Sequence, residues 1–412
     1  MNTEPSRRRI ALAGTGHRGS GTWGRQLFRD MADRVELVGL ADSNSLRLAE
    51  AQRTIGTNAP TFADVREMLA VTRPNTLIVT TRDDTHADTI VAALEAGVDV
   101  ITEKPMATTA EGCRRILDAE RRTGRRVDVG FNYRFGSTSA KIKELLLGGV
   151  IGEVVSVDFH WYLDTLHGAD YFRRWHAIFA HSGGLFFLKA THHFDLLNWY
   201  LGSDPREVFA RGALVNYGKN GPFRGPRCKT CSHAGECDYH FDLSADPALA
   251  ALYEGPSAED GYFRDACVFR EEIDIFDTMS AAISYENGAQ VSYSLNTFMP
   301  IEGYHLALNG HKGRIEIRQH ERQPWSTPDE DEILVMRNFG SVERVHVEHG
   351  GGGHFGGDTA LQRMLFVPGI PDPLGQRAGA RAGALSGLTG VAAATSAKTG
   401  RPVAIKPLLE PV

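Results

Sequence analysis

Arg9-Ile10-Ala11-Leu12-Ala13-Gly14-Thr15-Gly16-His17-Arg18-Gly19 is the stretch that decides the fold. An apolar run short enough for one strand leads straight into G-x-G-x-x-G, and a helical stretch over about 21–30 follows. Glycines at this spacing permit a tight turn, and the free amides at the start of the next helix can hold a pyrophosphate. Gly14, Gly16, His17, Arg18 and Gly19 are therefore candidates for a dinucleotide's phosphates. The motif alone is weak, and its context strengthens it. A second strand over 35–41 ends in Asp42, near the distance beyond the glycines at which a carboxylate accepts hydrogen bonds from an adenosine ribose. Asp42 would repel a 2′-phosphate and Ser43-Asn44 offer no cation to offset it, so NAD is favoured over NADP. Arg47 is the one nearby residue that could undermine this inference.

Outward from that unit the alternation continues, with helices over 45–55, 64–70, 86–96 and 109–122 and strands over 76–80, 99–102 and 126–129. Strands separated by helical patterns imply an α/β fold with a parallel, doubly wound sheet. Ligands in such sheets bind at the carboxyl ends of the strands, so Thr80-Thr81-Arg82 and Glu103-Lys104-Pro105 should share one crevice with the glycine loop. Thr80 and Thr81 are expected to line the cofactor cleft, and His86 to cap or pack at the start of its helix. Lys104 stands where a buried strand ends. A partly desolvated ammonium there loses a proton, or donates to a developing alkoxide, more readily than a surface lysine.

A chain of 412 residues is too long for one core. It reads as a dinucleotide-binding domain over 1–130 and a second domain over 131–412, with a Cys-rich insertion at about 215–270. Hydrophobic residues make up 42% and charged residues 23%, the range of ordinary globular proteins. A formal charge of −6 supplies no basic footprint for nucleic acid. The opening Ser6-Arg7-Arg8-Arg9 resembles an export signal, but the apolar run behind it is too short and ends in the glycine motif. No run is long enough to span a membrane, and a cytoplasmic location is expected.

In the second domain, a helix over 139–147 and a strand over 154–161 precede His167-Gly168-Ala169-Asp170-Tyr171-Phe172-Arg173-Arg174-Trp175-His176. Arginine forks recognise carboxylate, phosphate or sulfonate, and aromatic faces suit sugar rings, so Arg173, Arg174 and His176 are candidates for substrate. A salt-bridged loop is the structural alternative. Further on, Lys189, His192 and Asp195 share a helix face, since residues three apart are neighbours. A carboxylate beside an imidazole fixes its tautomer and supports a positive charge, which suits a general base for an alcohol proton. His193 points to another face.

Gly14-x-Gly16-x-x-Gly19, Glu103-Lys104-Pro105, Asn132-Tyr133-Arg134 and His192-x-x-Asp195 together resemble the Gfo/Idh/MocA family of nicotinamide-dependent sugar oxidoreductases, over nearly the whole chain and in the expected order. The resemblance implies an N-terminal Rossmann domain followed by an α/β domain with an open, largely antiparallel sheet. It also implies homo-oligomers, dimers or tetramers, that pair through that sheet. It makes His192 the favoured base, oriented by Asp195, beside Lys104, with Glu103 at the cofactor and with Asn132 and Tyr133 positioning ring or cofactor hydroxyls. Many members carry an aspartate four residues before this histidine. Here that position is Leu188, and Lys189 adds a cation next door. This departure suggests altered proton handling or an anionic substrate.

Cys228-Lys229-Thr230-Cys231, then Cys237 and Cys267, form a plausible four-thiolate site for structural zinc, with His233 or His240 able to replace a ligand. Disulfides or free buried thiols are the alternatives, an iron–sulfur cluster lacks its usual spacing, and Cys113 reads as core. From Glu272 the pattern turns to strands and hairpins: 273–278, 281–285 and 289–296, the last pair joined through Glu286-Asn287-Gly288, then 306–308 and 314–317. Asp274 and Asp277 are expected to pair with arginines. A glycine-rich lead, Gly350 to Asp358, could bring His354 over substrate ahead of a helix over 359–365, and a helix over 384–399 with an extended 401–405 completes the chain.

The expected activity is oxidation of a pyranose or pyranoside, at C3 by family resemblance, with hydride passing to NAD. Lys104 and His192 would share removal of the hydroxyl proton. Some relatives instead recycle NAD and cleave glycosides by transient C3 oxidation, elimination and water addition, with Tyr133 or Lys189 as the additional base. An anionic sugar such as a sulfoquinovoside is then a candidate substrate. A non-catalytic NAD or sugar sensor is the rival of another class, and retention of Lys104, His192 and Asp195 counts against it.

Overall fold

The computed structural model describes residues 7–326, 328–351, 354 and 356–410. Six strands, β1 (Arg8–Ala13), β2 (Val35–Ala41), β3 (Thr61–Phe62), β4 (Thr76–Val79), β5 (Asp99–Thr102) and β6 (Val127–Val129), form one sheet in the order β3-β2-β1-β4-β5-β6. Every pairing in it is parallel. Parallel strands need crossover helices on both faces, which is why β1 from Ile10 and β4 from Leu77 read as unbroken apolar runs. The strand order reverses between β1 and β4, and the carboxyl ends there open a crevice. The helix that follows β2, α1 (Ser45–Ile55), is capped by Asn44, whose side chain accepts from the Arg47 amide at 2.9 Å. The glycine loop leads into a wide π-helical segment, Arg18–Gln26, and only then into the short α-helical turn Leu27–Asp30.

Nine strands make the second sheet: β7 (Val154–Asp164), β8 (Pro205–Ala213), β9 (Thr278–Tyr285), β10 (Gln290–Met299), β11 (Glu302–Gly310), β12 (Gly313–Arg322), β13 (Glu330–Arg337), β14 (Val342–Glu348) and β15 (Val403–Ala404). Their order is β14-β13-β12-β11-β7-β10-β9-β8-β15, antiparallel except where β7 runs parallel to β10. One face is buried under helices α2 (Thr165–Arg173), α3 (Ala190–Leu201) and, from the end of the chain, the later helix Ala380–Thr399. The buried core runs without a break from Val79 and Val100 of the first sheet through Phe186 and Leu388 to Phe159 and Leu295 of the second.

Several expectations need correction. No strand forms over 273–277; Asp274 accepts the Phe179 amide at 2.6 Å, and Asp277 accepts the amides of Val215, Asn216 and Tyr217. Both carboxylates therefore cap backbone rather than pair with arginines. β13 and β14 follow where no strand was expected: the continuous apolar run Ile333-Leu334-Val335-Met336 hides the alternation of β13, and β14, at the edge of the sheet, is rich in charge. The four-thiolate zinc site is not assembled. Among the described residues no three His, Cys, Asp or Glu side chains come together as a metal-holding group, and Cys228, Cys231, Cys237 and Cys267 are free thiols. The insertion is fastened instead by Arg227 on Asp265 at 2.8 Å, by Arg173 over the Phe241 ring and by Tyr217 stacked on Phe172. Cys113 is buried as core. Ser6, and Gly352, Gly353 and Phe355 of the glycine-rich lead, lie outside the described residues. Among the described residues no helix is long and apolar enough to cross a membrane.

α2 is held against β10 at Gly168, where a Cβ would stand 1.7 Å from the Thr297 carbonyl oxygen. Because backbone cannot yield as a side chain can, Gly168→Ala is expected to cost about 1–3 kcal/mol or more and to lower the melting temperature in a calorimetric scan.

Candidate active site

At the carboxyl end of β1, Gly14 takes φ +88°, and a Cβ there would meet the Thr80 backbone at 2.5 Å. Thr80 locks this approach by donating its hydroxyl to the Gly14 carbonyl at 2.6 Å. A Cβ at Gly19 would lie 2.1 Å from the Gly14 oxygen, so the loop closes only with glycine at both places. Asp42 at the end of β2 accepts the Thr15 amide at 2.8 Å and hydroxyl at 2.9 Å, fixing its carboxylate beside the loop. A glycine loop whose backbone packs this closely, next to a fixed carboxylate, fits a dinucleotide. The His17 amide donates to the Tyr253 hydroxyl of the insertion at 2.9 Å. Thr81 is tied into its own turn by Thr85 at 2.8 Å, and His86 is buried between the Pro105 carbonyl (2.8 Å) and the Thr81 carbonyl (3.1 Å), a structural role.

Glu103 commits one carboxylate oxygen, Oε1, to structural partners, and its Oε2 meets only the Lys104 amide at 3.3 Å among the described residues. Oε1 accepts from Arg18 at 2.5 and 2.8 Å and from the Trp23 indole at 2.8 Å. Burial alone would raise its pKa, but the charges of Arg18 and Lys104 and the indole hold it below the ordinary value. Arg18 also donates to Asp358 at 3.0 Å with two nitrogens, so it braces carboxylates rather than standing open for phosphate. Asp358 further accepts from Asn132 at 2.9 Å, and the buried Asn132 carbonyl oxygen has no partner among the described residues.

Lys104 stands two residues beyond β5, and among the described residues its ammonium has one hydrogen-bond contact, a long 3.5 Å approach to the Leu188 carbonyl. The position where family members carry an aspartate thus supplies a backbone oxygen. Burial first, and then the charge of Lys189, lower the Lys104 amine to about 8 against the pull of Glu103. His192 presents a neutral imidazole, because burial and the charges of Lys104 and Lys189 push its pKa well below the ordinary value. Its ring stacks on Tyr133 at 4.2 Å and 13°, and its buried Nδ1 has no hydrogen-bond partner among the described residues. Lys189 donates to the Tyr133 hydroxyl at 2.9 Å and sits over the Tyr133 and Trp161 rings. Burial raises the Tyr133 pKa, so the phenol keeps its proton.

Asp195 does not orient His192. Its two oxygens take Arg134 through Nε at 2.7 Å and Nη2 at 2.6 Å, a buried bidentate pair that fastens the 132–135 turn to α3. A guanidinium fork satisfies a carboxylate better than one imidazole N–H can. His193 points away, bonded to Tyr293 at 2.8 Å and stacked on Trp161.

Beyond α2, Arg173, Arg174, Trp175, Arg224, Tyr262 and Arg270 line a cavity of about 600 Å³ between that helix and the insertion. Three of its four arginines are already paired, Arg224 with Glu271, Arg270 with Glu272 at 2.6 Å and Arg174 with Asp170 at 3.4 Å, so the loop is salt-bridged in part and Arg173 is the one without a carboxylate among the described residues. Arg173 is buried and both it and Arg174 leave Nε unpartnered. His176 lies alongside, its pKa driven well below the ordinary value by burial, Arg174 and Lys104, which connects the cavity electrostatically to the lysine.

Three carboxyl groups, those of Asp83, Glu302 and Glu321, join the site without a signal in the sequence, and His354 of the glycine-rich lead comes to the Tyr133 ring. Asp83, buried with an unpartnered oxygen, has its pKa raised well above the ordinary value by burial against the opposing charges of Lys104 and Arg174. Glu302 and Glu321 bear electrostatically on Lys189, and each comes from a strand remote in sequence. His354 meets Asp358 at 3.0 Å and the Tyr133 ring at 5.5 Å.

Residues 8–131 match the family described as "Oxidoreductase family, NAD-binding Rossmann fold", and residues 143–405 its "Oxidoreductase family, C-terminal alpha/beta domain". YteT of Bacillus subtilis (strain 168), named as an oxidoreductase, is 39% identical over 424 residues, covering 97% of this chain and 98% of that protein. An inositol 2-dehydrogenase of Klebsiella pneumoniae subsp. pneumoniae is 31% identical over 197 residues, 47% of this chain and 56% of its own length. The WlbA dehydrogenase from Bordetella pertussis, solved in complex with NADH and UDP-GlcNAcA, shares the fold at a TM-score of 0.66 and 20% identity, over 97% of this chain and 99% of that one.

The Arg134–Asp195 pair separates a structural role from a chemical one. Asp195→Ala strands a buried guanidinium and is expected to lose about 3–5 kcal/mol in a denaturant titration. Lys104→Met, which leaves no charge behind, is expected to retain most of the stability.

Proposed function

The chain belongs to the Gfo/Idh/MocA family of oxidoreductases, and from that premise we propose that it is an NAD-dependent enzyme oxidising a pyranose or pyranoside at C3. The observation that carries the reading is the pairing of an amine lowered to about 8 on Lys104 with the buried, unpartnered nitrogen of His192. Bound NAD would accept the hydride. Lys104, as the neutral amine, takes the proton of the reacting hydroxyl or shares it with His192, and the Tyr133 phenol donates to a neighbouring hydroxyl and holds the ring. Asn132, its carbonyl oxygen open, is suited to a hydroxyl or amide donor of substrate or cofactor. Glu103 and Asp195 act as positioning residues, through Lys104 and through the Arg134 turn.

The excess of arginine in the cavity beside α2 supports an anionic substrate, with Arg173 and Arg174 taking its carboxylate or sulfonate and Lys189 adding charge nearby. A second reading has one specific observation in its favour. Lys189 on Tyr133 is a further proton-transfer couple. Cleavage of a glycoside with recycled NAD requires such a couple to remove the C2 proton of a 3-keto intermediate before the aglycone leaves, water adds and the ketone is reduced again. A cytoplasmic enzyme pairing through the exposed face of its nine-stranded sheet completes the proposal.

A panel of neutral and anionic glycosides incubated with NAD, read for both NADH absorbance and aglycone release, tests it. Stoichiometric NADH supports the dehydrogenase, and aglycone release without net NADH supports the glycosidase. Silence on every substrate would favour a sensor. Lys104→Met and His192→Asn are each expected to lower kcat/KM by roughly 10²–10⁴-fold, and Arg173→Ala with Arg174→Ala to raise KM for anionic substrates only. The pH profile has a definite sign. The base form of Lys104 increases as pH rises through about 8, so kcat/KM should climb there and then level off. Lys189→Met removes a charge that lowers this amine, and the limb should move to higher pH.

A further inference from the structure

We infer that the insertion, and not the first sheet alone, sets the choice of NAD over NADP, through Glu259 and Asp260. The inference rests on the reading of an NAD enzyme and adds its determinant. Helix α4 (Pro247–Tyr253) and the residues to Asp260 lie across the mouth of the dinucleotide cradle. The Asn44 amide group donates to the Pro256 carbonyl at 2.8 Å and to Asp260 at 2.9 Å. Ser45 gives Glu259 both its backbone N–H, at 2.8 Å, and its hydroxyl, at 2.6 Å. Arg47 meets Asp260 at 2.6 Å and Asp42 at only 3.5 Å.

These contacts fall on the residues directly after Asp42, where the 2′-phosphate of NADP must arrive if the ribose hydroxyls face the carboxylate at the end of β2. A phosphate there needs a guanidinium and N–H or O–H donors. The chain owns that set in Asn44, Ser45 and Arg47, and the insertion's carboxylates occupy all three. Arg47 is 9% exposed and Asn44 1%, so neither is idle at the surface. A 2′-phosphate would face Asp42, Glu259 and Asp260 together, whereas the 2′-hydroxyl of NAD can donate to Asp42 without disturbing the other two. The Arg47 that clouds the sequence reading is thereby neutralised from about 210 residues away along the chain.

The test is calorimetric titration of nucleotide-free protein with NAD and with NADP, which needs no substrate. Wild type is expected to bind NAD more tightly. In Glu259→Gln/Asp260→Asn the preference should narrow by about tenfold or more, chiefly through tighter NADP binding. Arg47→Ala placed on that background should abolish the gain. Tyr253→Phe, which loosens the insertion without changing charge, should move both affinities together. If the double variant misfolds by circular dichroism, Asp260→Asn alone serves. An unchanged preference in a folded variant overturns the role of the insertion while leaving the NAD reading intact. Preference of the wild type for NADP overturns both.

Discussion

The fork of Arg18, half-buried between two buried carboxylates, is the interaction on which the site depends. One guanidinium from the loop that follows β1 reaches Glu103 at the end of β5 and Asp358 at the start of the helix Gly357–Phe366. The glycine loop, the lysine-bearing strand end and a segment near the chain's far end are thus locked together. Buried charges cost several kcal/mol each to desolvate, and the arrangement persists because Trp23, Asn132 and His354 supply the remaining hydrogen bonds. The consequence for chemistry is indirect. Since Oε1 of Glu103 is committed to Arg18 and Trp23, Lys104 keeps a neighbouring charge but no direct ion pair among the described residues, and desolvation lowers its amine.

The same logic runs through the other carboxylates. Asp195 serves Arg134, and Asp42 is held by Thr15. What remains for moving protons, besides the carboxyl of Asp83, is a set of nitrogens and one phenol: Lys104, His192, and Tyr133 with Lys189. Leu188 is consistent with this. A carboxylate at that position would pair with Lys104 and restore its charge, while the backbone carbonyl that takes its place is too long a contact to do so.

Much of this was legible in the sequence where local pattern determines structure. The strand, glycine and helix register of the first sheet follows from apolar runs and turns, and helix α1 spans the residues its periodicity implies. The family resemblance implied Lys104, Tyr133 and His192, and helix spacing put Lys189 on the face of His192; in the fold Lys189 donates to Tyr133 and His192 stacks on it. What the sequence could not convey was partner choice among charged residues, because it depends on contacts distant in the chain. Asp195 is three residues from His192 yet bonds to Arg134, 61 positions away. Asp83 stands beside a second aspartate in a polar turn, and only burial marks it. The cysteine spacing suggested zinc, but in the fold the insertion is fastened by ion pairs and aromatic contacts whose members are scattered along it.

The central claim is that Lys104 carries an amine fit to act as a base near neutral pH because it is half-buried and desolvated, with no ion-pair partner among the described residues. Direct titration of the Lys104 side chain tests it, by nitrogen-15 NMR of lysine-labelled protein with the resonance assigned through Lys104→Met. A midpoint near the value of about 8 is predicted, and a midpoint at the ordinary lysine value of 10.5 would contradict the account.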